Sequence, residues 1–133
     1  MIGNLNLQQI TSDEAKEIDS VLFRLSELVG SSKMCNQYII APSKMKEFAE
    51  LFVVCKKLMS AQQVKASYEL NTPFPYMGTI SLVGQSIDLI DKEFVKYITT
   101  HSSNWEVHPR TDGKIQMDIV LYGVAELVGD SNV

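Results

Sequence analysis

Residues 12–29 show the clearest helical pattern in the chain. Thr11 and Glu14 have the T-x-x-E spacing of a capping box, and Gly30 is a typical helix stop. Projected at 100° per residue, the apolar side chains share one arc of about 140°; they are Ala15, Ile18, Val21, Leu22, Leu25, Leu28 and Val29. Phe23 falls on the opposite side of this helix. We therefore expect Phe23 to be exposed, which makes it a candidate partner contact.

A second helix is predicted over residues 43–60, with Ser43 as its N-cap after Pro42. One arc of this helix is apolar and contains Met45, Phe48, Leu51, Phe52, Cys55, Leu58 and Met59. Cys55 is therefore predicted to lie in the core. Val53 and Val54 lie outside the arc. Either this helix contacts protein on two sides, or these valines belong to a subunit interface.

The hydrophobic period then changes from 3.6 to 2, which is typical of strands with one buried face. The stretch VKASYEL alternates over residues 64–70, and GTISLV predicts a second strand over residues 78–83. The stretch SIDLI, residues 86–90, alternates too and predicts a short third strand. Asp91 then caps a helix of about ten residues with an apolar cluster of Phe94, Val95, Tyr97 and Ile98.

A β-hairpin is predicted around residues 105–122. Pairing His108 with Lys114 places four apolar side chains on one face and leaves His108 on the other. These four are Trp105, Val107, Ile115 and Met117. The connection is then a five-residue loop from Pro109 to Gly113, in which the Asp112-Gly113 step favours a turn.

These elements predict an α+β fold of order α-α-β-β-(β)-α-β-β: two N-terminal helices, then an antiparallel sheet of four to five strands interrupted by one helix. At 133 residues the chain is expected to be a single domain. Residues 1–62 form its helical N-terminal part, 63–123 the sheet with the inserted helix, and 124–133 a C-terminal tail with at most a short helical turn.

Composition narrows the possible partners. The net charge of −4 argues against a dedicated nucleic-acid binder. The middle of the chain is nevertheless basic, through Lys33, Lys44, Lys46, Lys56, Lys57 and Lys65. A solvated helix face explains these lysines better than an acidic partner does. The first residues lack the pattern of a signal peptide, and no apolar run approaches the roughly 18 residues of a membrane span, so a cytoplasmic location without membrane contact is expected.

Few residues suggest catalysis. His101, His108, Arg110 and Asp112 lie close together in sequence. The two histidines do not have the i, i+4 spacing of a helical zinc site, and Asp112 is the sole nearby third ligand. Structural roles therefore explain these residues better, and neither a metal nor a cofactor is expected. Arg110 at the hairpin tip could bind an anion.

The cysteines and the remaining motifs add little chemistry. Cys35 and Cys55 fit no metal or redox spacing, so two free thiols are expected. No phosphate-binding glycine loop and no nucleophile elbow is present. In NTPFPYMG, residues 71–78, Phe74 and Tyr76 could form a stiff apolar lip beside a ligand or a partner, although a simple connection explains them better.

Two functions from different classes remain. The first is a non-catalytic interaction or ligand-binding domain that binds another protein or a second copy of itself. Its basis is the apolar residues at nominally outer positions, which are Val53, Val54, Val120 and Tyr122. The alternative is a small hydrolase or metal-dependent enzyme that uses His101, His108, Arg110 and Asp112.

Overall fold

The computed structural model describes residues 10–31, 38–40, 42–62, 64–70 and 77–127. The elements in chain order are α1 Ser12–Ser31, β1 Tyr38–Ile40, α2 Pro42–Gln62, β2 Lys65–Leu70, β3 Met77–Gly84, α3 Ser86–Leu89, α4 Lys92–His101, β4 Asn104–Pro109, β5 Ile115–Tyr122 and β6 Ala125–Leu127. The predicted α+β class is confirmed.

Helix starts follow the capping chemistry of the sequence in two of the three long helices. Thr11 N donates to Glu14 Oε1 at 2.9 Å, and Glu14 N donates to Thr11 Oγ1 at 3.2 Å. Asp91 Oδ2 accepts from the backbone N–H groups of Glu93 and Phe94. The predicted helix α2 is present, but Ser43 is not its N-cap, because the helix begins at Pro42 and Ser43 lies inside it. Proline suits the first helical position, where no N–H is needed.

Gly30 does not end α1, which continues to Ser31. Within the described part of the chain, none of these helices combines the length and the apolar composition needed to cross a bilayer.

Four strands form one antiparallel sheet in the order β2-β3-β5-β4, and β1 pairs with β6 in a separate two-stranded sheet. The helical turn considered for the C-terminal tail was wrong, because residues 125–127 are the strand β6. The short third strand was also wrong. Residues 86–89 form the helix α3, in which Leu89 is buried and Ile87 is 85% exposed. Ile87 and Leu89 therefore do not share one buried face, as the predicted strand would require.

The hairpin of β4 and β5 is present, but its register is two residues away from the predicted one. His108 pairs with Gln116 and Pro109 with Ile115, so the loop runs from residue 110 to 114. Because side chains alternate with a period of two, a shift of two residues leaves every side chain on its predicted face. Met117 is accordingly buried, and His108 lies on the opposite face.

Helix α2 lies at the centre of the core. Val53 and Val54 are each 1% exposed, so α2 contacts protein on two sides and neither valine is available at a subunit interface. Phe48 is fully buried and lies over β3. A Cβ atom added to Gly78 would be 2.7 Å from Phe48 Cε1. The helix can therefore approach the sheet closely because this strand position has no side chain.

Gly78→Ala is expected to lower the free energy of unfolding by about 1–2 kcal/mol. The added methyl group overpacks the core against Phe48, and the lower backbone entropy of alanine in the unfolded chain offsets part of this cost. Urea denaturation of the purified variant measures the change.

The matched experiment repeats Gly78→Ala in a Phe48→Leu background. If the contact with the ring causes the cost, alanine is tolerated better there, and the two changes show a favourable coupling energy. An equal cost in both backgrounds would mean that the ring is not the obstacle.

Candidate functional site

The side of the four-stranded sheet that faces away from the helices is uncovered by any described residue. Its side chains are Lys65, Ser67 and Glu69 of β2; Met77, Thr79, Ser81 and Val83 of β3; Gln116, Asp118, Val120 and Tyr122 of β5; and Asn104, Glu106 and His108 of β4. All of them are exposed or half-buried, whereas the inward positions of β3 are buried. We call this surface the open face.

His108 belongs to a polar cluster on the open face. Its Nε2 lies 3.4 Å from Glu106 Oε2 and 3.4 Å from Asp118 Oδ2. Asp118 Oδ1 accepts hydrogen bonds from Ser81 Oγ at 2.8 Å and from Gln116 Nε2 at 3.0 Å. Asp118 is therefore held in place by two neighbours and presents its second oxygen to the imidazole.

The order of contacts in this cluster does not suit nucleophilic catalysis. In a serine triad the imidazole contacts the hydroxyl and takes its proton. Here the Ser81 hydroxyl donates to Asp118, and the carboxylate separates it from His108. Among the described residues, no group of three His, Cys, Asp or Glu side chains could hold a metal ion. The cluster is best explained as cross-strand pairing on a solvated surface.

Arg110 and Asp112 meet at the hairpin tip. Arg110 Nη2 donates to Asp112 Oδ2 at 3.1 Å, and Lys114 N donates to Asp112 Oδ1 at 3.0 Å. The hydrogen bonds from Arg110, then that from Lys114, hold the pKa of Asp112 below its usual value. Gly113 has φ +85°, which the turn requires. The guanidinium is thus paired with a carboxylate of its own loop.

His101 lies in another part of the molecule, at the end of α4 in the helical layer. Its ring lies 4.3 Å from that of Tyr97, at an interplanar angle of 36°. Both side chains line a cleft of about 240 Å³ between α2 and α4. The remaining lining residues are Ile10, Glu47, Glu50, Leu51 and Val54. The structure brings Arg110 and Asp112 together, but it places the two histidines on opposite sides of the sheet.

The other predicted contact residues are distributed over the surface. Phe23 is 69% exposed on α1, Tyr122 is 46% exposed, and Val120 is half-buried on the open face. Phe74 and Tyr76 lie outside the described residues, as does Cys35.

Three of the six lysines considered as a basic patch pair with carboxylates. Lys57 Nζ lies 3.2 Å from Glu14 Oε1, Lys44 Nζ lies 3.5 Å from Glu47 Oε2, and Lys56 pairs with Glu17. Two of these pairs join α1 to α2. Their arrangement favours the solvated helix face over a phosphate-binding patch.

Sequence reasoning missed Ser81 and Asp118 on the open face and Glu50 and Tyr97 in the cleft. The period-2 pattern places Ser81 and Asp118 outward, so alternation could have found them once the pairing of β3 with β5 was known. Glu50 and Tyr97 are far apart in sequence, and no local pattern indicates that α2 and α4 lie beside a common cleft.

Two groups in or near this cleft, the buried thiol of Cys55 and the half-buried phenol of Tyr97, have raised pKa values. Burial raises the pKa of the Cys55 thiol far above its usual value. Burial also raises the pKa of Tyr97 to about 12, and Cys55 and Glu50 add to this shift. Both groups are therefore neutral at physiological pH, and Cys55, which is fully buried, is not a reactive nucleophile.

No protein-family model, no curated protein and no solved structure matches this chain. Functional inference therefore depends on the chemistry of the open face and of the cleft.

The free energy of unfolding is expected to fall as the pH rises above about 8.5, the usual pKa of an unfolded cysteine. The folded state keeps the Cys55 thiol neutral while the unfolded chain ionises it, so stability is full below the unfolded pKa and declines above it. The contribution of Cys55 is on the order of 1–2 kcal/mol at pH 10. Urea denaturation at pH 7 and pH 10 measures it.

Cys55→Ala is the control for this measurement, since it retains Cys35 and Tyr97. Its stability at pH 7 is lower because of the cavity, but its further loss between pH 7 and pH 10 is smaller than that of the wild type. Equal losses in the two proteins would show that ionisation of Cys55 is not responsible.

Proposed function

We propose that this protein is a non-catalytic interaction module that associates with a second copy of itself through the open face. The distribution of side chains on this face supports the proposal more than its exposure does, because antiparallel sheets commonly have one solvated side. The observation that carries it is the separation of the face into an apolar end and a charged end.

Strand register defines the two ends. At the apolar end, Met77 pairs with Tyr122 and Thr79 pairs with Val120. At the charged end, Asp118 lies opposite Glu106 in the strand register. The next row runs from Lys65 through Val83 and Gln116 to His108. Apolar side chains are thus concentrated at one end of the surface and charged side chains at the other, although Glu69 lies in the row of Val120 and Val83 in the row of Lys65.

Two face-to-face arrangements with two-fold symmetry are possible. A two-fold axis parallel to the strands places β2 of one copy over β4 of the other and keeps each row over itself. Met77 then faces Tyr122 of the second copy. Lys65 faces His108 of the second copy, and Glu106 lies in the row next to this histidine. The apolar ends cover each other, and opposite charges come together.

An axis perpendicular to the strands places each strand over itself and reverses the rows. With the axis centred on the face, Asp118 of one copy lies over Val120 of the other, and Gln116 lies over Tyr122. With the axis on the row of Asp118, Lys65 gains Glu69 of the second copy as a partner, but like charges face each other at Asp118 and Glu106, and the row of Met77 and Tyr122 stays uncovered. The parallel axis is therefore favoured.

The size of the face predicts a weak complex. Four strands about 4.8 Å apart, with eight residues in each central strand, cover roughly 450–500 Å² per copy. This is below the roughly 800 Å² per partner of a standard stable interface. We therefore expect a reversible dimer that forms at concentrations on the order of tens of micromolar.

The hydrolase alternative has no comparable support. It requires His101, His108, Arg110 and Asp112 to surround one substrate. In the structure His101 contacts Tyr97, His108 contacts Glu106 and Asp118, and Arg110 is paired with Asp112.

Val120→Asp is expected to weaken self-association at least about tenfold, because it places a charge in the apolar end of the interface. Analytical ultracentrifugation from 5 to 500 µM, a range chosen to span the roughly tens of micromolar expected here, measures the dissociation constant. Phe23→Asp is the matched control, since it introduces the same charge at an exposed apolar side chain of α1. A wild-type protein that is monomeric throughout this range, or equal effects of the two variants, would contradict the proposal.

A charge exchange tests the orientation. Lys65→Glu and Glu106→Lys should each weaken the dimer, and the double variant should recover it, if β2 of one copy faces β4 of the other. Recovery by the pair Lys65→Glu and Glu69→Lys instead would indicate the perpendicular axis. Circular dichroism confirms that each variant keeps the wild-type fold.

A further inference from the structure

The cleft between α2 and α4 is independent of the open face and has its own chemistry. Glu47, Glu50, Leu51 and Val54 are spaced i, i+3, i+4 and i+7, so they line one side of α2. Tyr97 and His101, spaced i and i+4, line the facing side of α4. The cleft is thus built from two rigid helices, with carboxylates towards one end of the α2 face and aliphatic side chains towards the other.

The two carboxylates differ in their surroundings. Glu47 is exposed and pairs with Lys44 at the rim. Glu50 is half-buried, and among the described residues no cationic side chain lies within ion-pair distance of it. A partly desolvated carboxylate without a cation is an attractive site for one, because the interaction is less screened than at an open surface.

Aromatic and aliphatic groups complete the surroundings of Glu50. The Tyr97 ring is held against His101 and faces the same cleft, and aromatic rings attract cations. Ile10, which is 38% exposed, provides an apolar side chain that a ligand can reach, whereas Leu51 and Val54 line the cleft but are each only 1% exposed. These groups suit a cation that carries hydrocarbon.

We propose that this cleft binds a small organic cation, a primary alkyl- or arylalkylamine whose ammonium group lies between Glu50 and Tyr97. Its hydrocarbon part lies against Ile10, the exposed apolar side chain of the cleft lining. The volume of about 240 Å³ fits a compact amine, since it is below the roughly 300–1,000 Å³ of sites for drug-sized ligands. A bare divalent metal fits less well, since no described group of three ligands could hold one.

Three probes of nearly equal size and shape test the charge requirement: phenethylammonium chloride, 2-phenylethanol and sodium phenylacetate. Titration of the ¹⁵N-labelled protein of 133 residues followed by NMR reports both the affinity and the location of binding. We expect phenethylammonium to bind with a Kd of about 1 mM or lower and to shift the amide signals of Glu50, Tyr97 and His101. The alcohol and the carboxylate should bind at least about tenfold more weakly.

Two variants test whether Glu50 supplies the negative charge, and a third removes the Tyr97 ring. Glu50→Gln should raise the Kd of phenethylammonium roughly tenfold. Glu69→Gln is the matched control, since it removes the same charge from the open face, and it should leave the Kd unchanged. Tyr97→Leu should weaken binding severalfold by removing the ring while keeping an apolar side chain of similar reach.

The outcomes separate this site from the proposed self-association. Glu50→Gln should leave the dimer dissociation constant unchanged, so a monomeric protein that still binds the amine would refute only the dimer. Equal binding of the alcohol and the ammonium ion, undiminished binding to Glu50→Gln, or no shifts at millimolar amine would overturn the amine site.

Discussion

The contact between Phe48 of α2 and Gly78 of β3 determines how the layers of this protein fit together. Side chains normally separate the backbone of a helix from the sheet on which it packs. Here Phe48 Cε1 lies 2.7 Å from the position that a Cβ atom of residue 78 would take. Because Gly78 has no side chain, the Phe48 ring can lie close to the backbone of β3. This contact fixes the height of α2 over the sheet. It also fixes the position of the α2 side that faces α4, and so the width of the cleft.

Local and periodic features of this fold could be predicted from the sequence. The capping box at Thr11 and the N-cap at Asp91 depend on residues within four positions of each other, and both are present. The alternation around Trp105 and Met117 correctly assigned each side chain to a face. The pairing itself was two residues wrong, because alternation constrains only the parity of the register. Loop geometry decided the exact register. Lys114 N donates a hydrogen bond to Asp112 Oδ1, and the loop begins and ends one residue later than expected.

Features that depend on distant segments could not be predicted. Val53 and Val54 lie outside the apolar arc of α2 but are each 1% exposed, and Val54 lines the cleft together with Tyr97 and His101 of the distant helix α4. SIDLI has the alternation of a strand, but Leu89 is its one buried side chain. A single helical turn is enough to place Leu89 in the core. The candidate sites also depend on distant segments. Asp118 on β5 contacts His108 on the neighbouring strand β4, and Glu50 and Tyr97 share a cleft although they are far apart in sequence.

The sheet itself keeps the two surfaces chemically separate. Charges on the open face and in the cleft lie on opposite sides of a layer of buried aliphatic side chains that includes Ile80, Leu82 and Ile119. At physiological ionic strength, exposed charges are screened beyond about 8 Å, so the carboxylates of one surface have little effect on the other. A joint site of His101 and His108 was the alternative that sequence proximity left open. His101 ends α4 and lies against Tyr97, whereas the side chain of His108 on β4 belongs to the open face, so each imidazole lies on a different surface with its own partners.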